Sequence, residues 1–408
     1  MNSVNVPRKS RMSLGHVEGD LEVGRDAVIM PDQGDTITVN GRVEAEGNVT
    51  FGGNLVADEV RSEDGDFDVR GDLTVSRNVR VDDGILGISG SLSAQAVEVD
   101  KDLEVARDAT VEELDVGGRA EIHGTLSARS VDVGGSLQVS GAAEVDEIEA
   151  GGSIHIAGKV NGKSIDVGGF AKIGGGKVTD QIDVGGTFES TGPLEFNEID
   201  VGGVVKLSGD CSGRKLDVGG MAKVEGNLRF EEIDVGGVIE VEGNADGADL
   251  DIGGILRVGG DLNLTGRFEV GGRCKVGGTL NAHEIETGGR LEAAEVKVHE
   301  IEVGGAISTD KGVKADSITI GDHGRVRGPL IGGKIRIGQR ADVEALYGKS
   351  ITLEERSKAA SIHGVDIRIG SHCSILGEVL YSGSLETDEQ VSLAVQPKKV
   401  ESLPEAPT

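Results

Sequence analysis

Pairs of adjacent glycines recur through the middle of this chain at an almost constant interval. The first nine pairs are seventeen positions apart, and the last three follow at intervals of eighteen, seventeen and sixteen. A fixed period of this length is typical of a repeat architecture in which each copy is one structural unit. The doublets begin at Gly117, Gly134, Gly151, Gly168, Gly185, Gly202, Gly219, Gly236, Gly253, Gly271, Gly288 and Gly304.

Apolar residues within each copy fall in three pairs spaced i, i+2, which is the period of a β-strand. We therefore expect three short strands per copy, closing into a triangular turn on which the next copy stacks. The glycines are expected at the corners, where a positive φ favours glycine. In the copy after Val218 the inward pairs are Ala222 with Val224, Leu228 with Phe230, and Ile233 with Val235.

The composition agrees with a thin, regular core. The 408 residues include 67 Gly but no Trp, 2 Tyr and 7 Phe, so a compact core built on large aromatic side chains is not expected. Cys211 and Cys274 fall at inward positions of their copies and are interpreted as core residues. The predicted fold class is all-β: a single elongated triangular β-solenoid in which each turn is one seventeen-residue copy.

The regular repeat occupies only part of the chain. We predict a disordered basic tail over residues 1–14, irregular solenoid turns over 15–114, regular turns over 115–305, irregular turns over 306–383, and a disordered tail over 384–408. The last segment is polar and contains several prolines, which is typical of a flexible tail.

Charge limits the partners. The net charge of −30 argues against nucleic acid, since phosphate binding needs a basic face. The N-terminal segment, up to Val17, contains no apolar run, so the protein is expected in the cytoplasm. The three basic residues of this segment, Arg8, Lys9 and Arg11, are candidates for contact with an anionic membrane surface.

No pattern in the sequence predicts catalysis. The eight histidines are scattered, and no nucleophile, base and orienting acid stand at a recognisable spacing. GKVNGKS at residues 158–164 and YGKS at 347–350 resemble phosphate-binding loops, but no helix is expected to follow either one. We therefore expect no enzyme activity, no catalytic or metal site, no cofactor and no nucleotide.

An acidic residue stands two positions before each doublet from Gly168 onward. It lies between two inward residues, so it must point outward and stack on its counterparts as an acidic ladder. The ladder could bind divalent cations, dock a basic protein, or keep molecules apart by repulsion. Its predicted members are Asp166, Asp183, Asp200, Asp217, Asp234 and Asp251, continued by Glu269, Glu286 and Glu302.

The ends of the solenoid are expected to be uncapped, because neither end shows a helical apolar period. Exposed strand edges predict end-to-end association by strand addition. The predicted C-terminal interface consists of Ile367, Ile369, Ile375, Leu376 and Val379.

Runs such as VNGRVEAEGNVTFGGNL, GRAEIHGTLSARSVDVGGSLQVSG and GGSIHIAGKVNGKSIDVGG resemble the bactofilin family of polymer-forming cytoskeletal proteins. The resemblance covers residues 40–380 loosely, and this chain is longer than the usual family domain. It implies a nucleotide-independent filament of solenoids joined end to end, acting as a scaffold for cell shape or protein localisation. It also implies a membrane role for the N-terminal segment.

The family is thought to join like ends, whereas the charges of this chain would also suit a head-to-tail arrangement. Residues 18–117 hold 25 acidic and 8 basic residues, and residues 321–370 hold 6 acidic and 9 basic residues. The expected partner is therefore a second copy of the chain. The alternatives are a monomeric rod that docks a basic partner, a hexapeptide-repeat acyltransferase, and a secreted adhesin.

Overall fold

The computed structural model describes residues 3–406, and every regular element among them is a β-strand. Contacts divide the chain into two compact units, residues 1–207 and 208–408. Each unit is a β-solenoid, so the predicted fold class and the predicted length of a turn are confirmed.

The strands that begin in the first unit are Val4–Val6, Arg11–Leu14, His16–Val17, Leu21–Val23, Ala27–Pro31, Thr36–Glu46, Val49–Phe51, Asn54–Glu63, Phe67–Val69, Leu73–Val75, Asn78–Val81, Leu86–Ile88, Leu92–Ser93, Ala96–Val99, Leu103–Val105, Ala109–Thr110, Glu113–Val116, Arg119–Ile122, Leu126–Val133, Ser136–Val139, Ala143–Ala150, Ser153–Ile156, Val160–Val167, Phe170–Ile173, Gly176–Val184, Thr187–Ser190, Leu194–Val201 and Val204–Ser208.

The strands that begin in the second unit are Cys211–Val218, Met221–Glu225, Leu228–Arg229, Glu232–Val235, Val238–Val241, Ala245–Gly247, Asp249–Ile252, Ile255–Val258, Leu262–Leu264, Arg267–Val270, Arg273–Val276, Thr279–Thr287, Arg290–Ala293, Glu295–Val303, Ala306–Thr309, Val313–Ile320, Arg325–Arg327, Leu330–Ile337, Asp342–Leu353, Lys358–Ile369, Ser374–Ile375, Val379–Tyr381, Leu385–Thr387, Ser392–Leu393 and Lys398–Lys399.

Successive turns pair in parallel and in register, so equivalent residues stack in columns. In the first unit Ile165 lies between Ile148 and Ile182, and in the second unit Ile233 lies between Leu216 and Leu250. The six inward residues predicted in the copy after Val218 are all buried. Each turn therefore contributes three inward pairs to a narrow aliphatic core.

The glycine doublets are needed for space rather than for a positive φ, which corrects the sequence-based explanation. None of the doublet glycines has a positive φ. Instead, the carbonyl oxygen of the turn below lies where a Cβ atom would be placed, as it does for Gly151 below Gly168 and Gly272 below Gly289. At most of the doublet glycines the backbones of stacked corners approach so closely that a side chain has no room, whereas Gly288 and Gly304 have ordinary contact distances.

A second type of corner replaces the doublet in the turns near both ends. The third residue after the preceding strand has a positive φ without being glycine. This conformation is uncommon and is easiest for polar residues. The φ values are 59° at Asp26 in the first unit and 61° at His372 in the second. The outermost turns use the same corner, with φ of 57° at Lys9 and 58° at Gln390.

Both predicted disordered tails contain strands, so their boundaries need correction. Val4–Val6 pairs with Leu21–Val23, and Leu385–Thr387 pairs with Ile367–Ile369. A segment of three residues suffices to add a strand when an adjacent turn supplies the backbone hydrogen bonds. The charges and prolines of these segments concealed this short pattern. Residues 1, 2, 407 and 408 lie outside the described residues.

Candidate functional site

The outward acidic residues stack in register within each unit, as the ladder prediction requires. In the first unit the column also includes carboxylates that the prediction omitted, although they occupy the same place relative to the doublets. This part of the column consists of Asp115, Asp132, Glu149, Asp166, Asp183 and Asp200. In the earlier turns of the first unit the same position is taken by Glu98, Arg80 and Arg61.

The column of the second unit also changes sign along its length. Its acidic part consists of Asp217, Asp234, Asp251, Glu269, Glu286 and Glu302. The same positions are then taken by Thr319, Arg336, Thr352 and Arg368. An extended basic partner would therefore fit only the first part of this face.

Burial, followed by the charges of stacked neighbours, raises the pKa of one carboxyl group inside each column. The pKa of Asp183 is raised first by burial and then by the charges of Asp166 and Asp200. The pKa of Asp234 is raised by burial and by its neighbours Asp217 and Asp251. The column residues therefore repel one another at neutral pH.

We expect Asp183→Asn to stabilise the first unit. A raised pKa means that the stability contributed by the protonated carboxyl is present in acid and is lost as pH rises through the folded-state pKa. Removing the charge should therefore raise the free energy of unfolding by about 0.5 kcal/mol at pH 7 and low salt, after solvent screening. The gain, measured by chemical denaturation, should vanish at pH 3 and shrink in 1 M salt.

Asp108→Asn is the matched comparison with the opposite sign. Thr125 donates to Asp108 Oδ1 from its backbone N–H and from its hydroxyl, each at 2.8 Å. These bonds lower the pKa of Asp108, the backbone donor first. Loss of this carboxylate should therefore destabilise the protein at pH 7. A loss of stability in Asp183→Asn as well would contradict the repulsion argument.

The basic residues of the first turn lie on an ordered corner rather than on a tail. The side chain of Arg8 is 73% exposed, and its guanidinium contacts Glu46 Oε2 at 2.6 Å. Lys9 has the positive φ of that corner, and Arg11 begins the next strand. Contact of these residues with a membrane stays a prediction.

The predicted C-terminal interface is placed differently from the expectation. Ile367 and Ile369 are buried beneath the strand Leu385–Thr387. Ile375 and Val379 are buried as well, whereas Leu376 is 66% exposed. The prediction located the last turn too early because it assigned the following residues to a tail. The exposed edge of the second unit therefore belongs to residues 385–399.

The two outermost edges differ in which backbone groups they present. Val4 donates to Asp20 and Val6 accepts from Gly24, so the groups of Asn5, between them, face away from the unit. At the other edge Ser384 and Asp388 bond back to Ile367 and Ile369.

By the same alternation, the groups of Leu385 and Thr387 face outward. At the C-terminal edge the free backbone N–H and C=O groups thus belong to residues in core-facing positions. At the N-terminal edge they belong to the residue between two such positions. This is also how successive turns pair inside each unit: Gly253 donates to the core-facing Val235, and Gly168 to the core-facing Ala150.

Three of the histidines treated as scattered in the sequence have defined side-chain partners in the structure. His283 and His299 stack with ring centroids 5.1 Å apart. His363 is buried, with Nε2 3.0 Å from Glu378 Oε1 and its ring edge-on to Tyr347. Equivalent positions in successive turns were the signal that could have found the pairing of His283 with His299 and of Tyr347 with His363.

No family model, curated protein or solved structure matches this chain. Within residues 3–406, no helix has the length and apolar character needed to cross a membrane. The same residues hold no group of three or more His, Cys, Asp and Glu side chains that could bind a metal ion.

Proposed function

We propose that this protein is a structural, bactofilin-like cytoskeletal protein that joins end to end into filaments without a nucleotide. It would act in the cytoplasm as a scaffold for cell shape or for localising other proteins. The observation that carries the proposal is the complementarity of the two outermost edges. Consider a second copy placed in the register of the internal turns. The backbone N–H of Asn5 would then donate to the carbonyl oxygen of Leu385, and the carbonyl oxygen of Asn5 would accept from the backbone N–H of Thr387.

The corners of the two edges support a head-to-tail joint. Lys9 and Gln390 occupy the same place in their turns and have almost equal φ values, so the corners match in shape. In the internal register Arg8 of one copy falls opposite Glu389 of the next, with Asp388 alongside. Opposite charges on matching corners favour unlike ends over like ends.

A charge exchange tests this joint. At physiological salt, negative-stain microscopy should show filaments of the native protein without nucleotide. Arg8→Glu with Lys9→Glu, or Asp388→Lys with Glu389→Lys, should each shorten filaments strongly, since like charges then meet at the joint. A molecule carrying all four changes should form filaments again, because its two ends are complementary once more.

The outcomes separate the possible arrangements. If like ends join, the fourfold variant brings no recovery, because each exchange acts at a different joint. If the native protein stays monomeric at high concentration, the filament proposal itself fails. Circular dichroism of each variant checks that the strands are intact.

A monomeric rod that docks a basic partner is the second candidate, and the prolines of the outermost turns favour it. Pro7 and Pro397 lack the N–H that would extend a strand ladder, and proline is common at edges protected from strand addition. This function predicts a monomer by sedimentation that binds a lysine-rich peptide through its acidic columns. Asp166→Asn, Asp183→Asn and Asp200→Asn together should weaken that binding.

A further inference from the structure

One corner of the second unit brings two histidines and an aspartate into a column. The backbone registers on either side place His283 next to His299, and His299 next to Asp316, in successive turns. All three side chains are exposed. Residues far apart in sequence thus meet because they occupy the same position of the repeat.

The two imidazole rings lie nearly parallel to each other. Their centroids are 5.1 Å apart, and their planes differ by only 5°. Imidazole nitrogens bind Cu²⁺, Ni²⁺ and Zn²⁺, and two rings on adjacent strands can supply two ligands to one ion. Small side-chain rotations, which exposed residues make freely, would bring one nitrogen of each ring to the ion.

Asp316 orients the second ring. Its Oδ2 atom lies 2.7 Å from His299 Nδ1, and a carboxylate accepts the proton of that nitrogen. The other ring nitrogen, Nε2, then carries the lone pair and is available to a metal ion. Carboxylates that hold a histidine in this way are a regular part of metal sites, where they raise the basicity of the ligand.

The surroundings leave the rings accessible and favour a cation. Gly266 precedes His283 in the column, and Gly333 follows Asp316, so no side chain covers the column at either end. The exposed carboxylates of Glu284 and Glu300 stand next to the two histidines in the chain. Their negative potential raises the local concentration of cations.

We propose that His283 and His299 together bind one divalent transition-metal ion, with Asp316 as a positioning residue. Two protein ligands leave the remaining positions of the ion to water. The bound ion links two successive turns of the second unit. Cu²⁺ should bind most tightly, ahead of Ni²⁺ and Zn²⁺, because imidazole sites follow this order of affinity.

Titration with Cu²⁺ at pH 7.5, followed by calorimetry and electron paramagnetic resonance, tests the proposal. The native protein should bind one ion with a spectrum showing two coordinated nitrogens. His283→Ala and His299→Ala should each lose that spectrum and weaken binding at least tenfold. Asp316→Asn should keep the two-nitrogen spectrum but weaken binding about tenfold.

His155→Ala is the matched control, since His155 is also an exposed strand residue but lies in the first unit and outside the column. It should leave both the spectrum and the affinity unchanged. Equal effects of His155→Ala and His299→Ala, or a two-nitrogen spectrum that survives loss of either ring, would overturn the proposal. Circular dichroism without metal should be the same for all variants.

Discussion

Gly289→Ala should lower the free energy of unfolding of the second unit by about 3 kcal/mol, an effect typical of overpacking in a region that cannot relax. The carbonyl carbon and oxygen of Gly272 occupy the space that a Cβ atom on Gly289 would need. These are backbone atoms held by the ladder on both sides, so the clash cannot be relieved by a side-chain rotation. The turn itself would have to open.

Gly288→Ala is the matched control, one residue away. The nearest atom to its Cβ position, the carbonyl oxygen of Gly271, is 3.6 Å distant, which is an ordinary contact. Because φ at Gly288 is not positive, alanine should stabilise the protein slightly, by about 0.5 kcal/mol, through the unfolded chain. Urea denaturation followed by circular dichroism measures both variants. Equal losses would show that the doublets serve another purpose.

Ile369→Asp should destabilise the last turns of the second unit by on the order of 4 kcal/mol, since it buries an unpaired charge and removes core volume. Ile369 is fully buried between Leu353 and Thr387. In a solenoid each turn contacts only its neighbours, so unfolding should begin locally. Limited proteolysis should cut the variant after residue 353 while leaving earlier turns protected.

Leu376→Asp is the matched control, because it introduces the same charge at an exposed position seven residues away. Leu376 is 66% exposed, so the change should cost no more than about 0.5 kcal/mol. If Ile369→Asp behaved like Leu376→Asp in denaturation and proteolysis, the buried position of Ile369 would be refuted.

Most of the fold could be predicted from the repeat, because every copy shows the same spacing of apolar residues. The inward positions of the regular turns follow from the i, i+2 pattern alone, and Cys274 does lie between Leu256 and Leu291 in the core. Burial raises the pKa of its thiol, which fits a structural residue. The cause of the glycine doublets could not be predicted, because it depends on how closely two backbones approach.

The ends and the histidine column were harder to foresee for different reasons. A strand such as Val4–Val6 has too few residues to show a period, and only its pairing with Leu21–Val23 defines it. The stacking of His283 on His299 depends on a turn that is one residue shorter than the regular copy, so a strict repeat count misses it. Irregular spacing thus hides contacts between successive turns that a constant period would reveal.

The constant register of the regular turns allows the number of copies to change without disturbing the core. In the first unit the strands that follow the doublets from Gly117 to Gly185 pair with a constant offset of seventeen residues. Loss or duplication of one complete copy, such as residues 134–150, would bring equivalent neighbours together and leave both ends of the chain untouched. Recombination between copies can therefore shorten or lengthen the protein in steps of one whole copy, whereas a fractional step would shift inward residues outward.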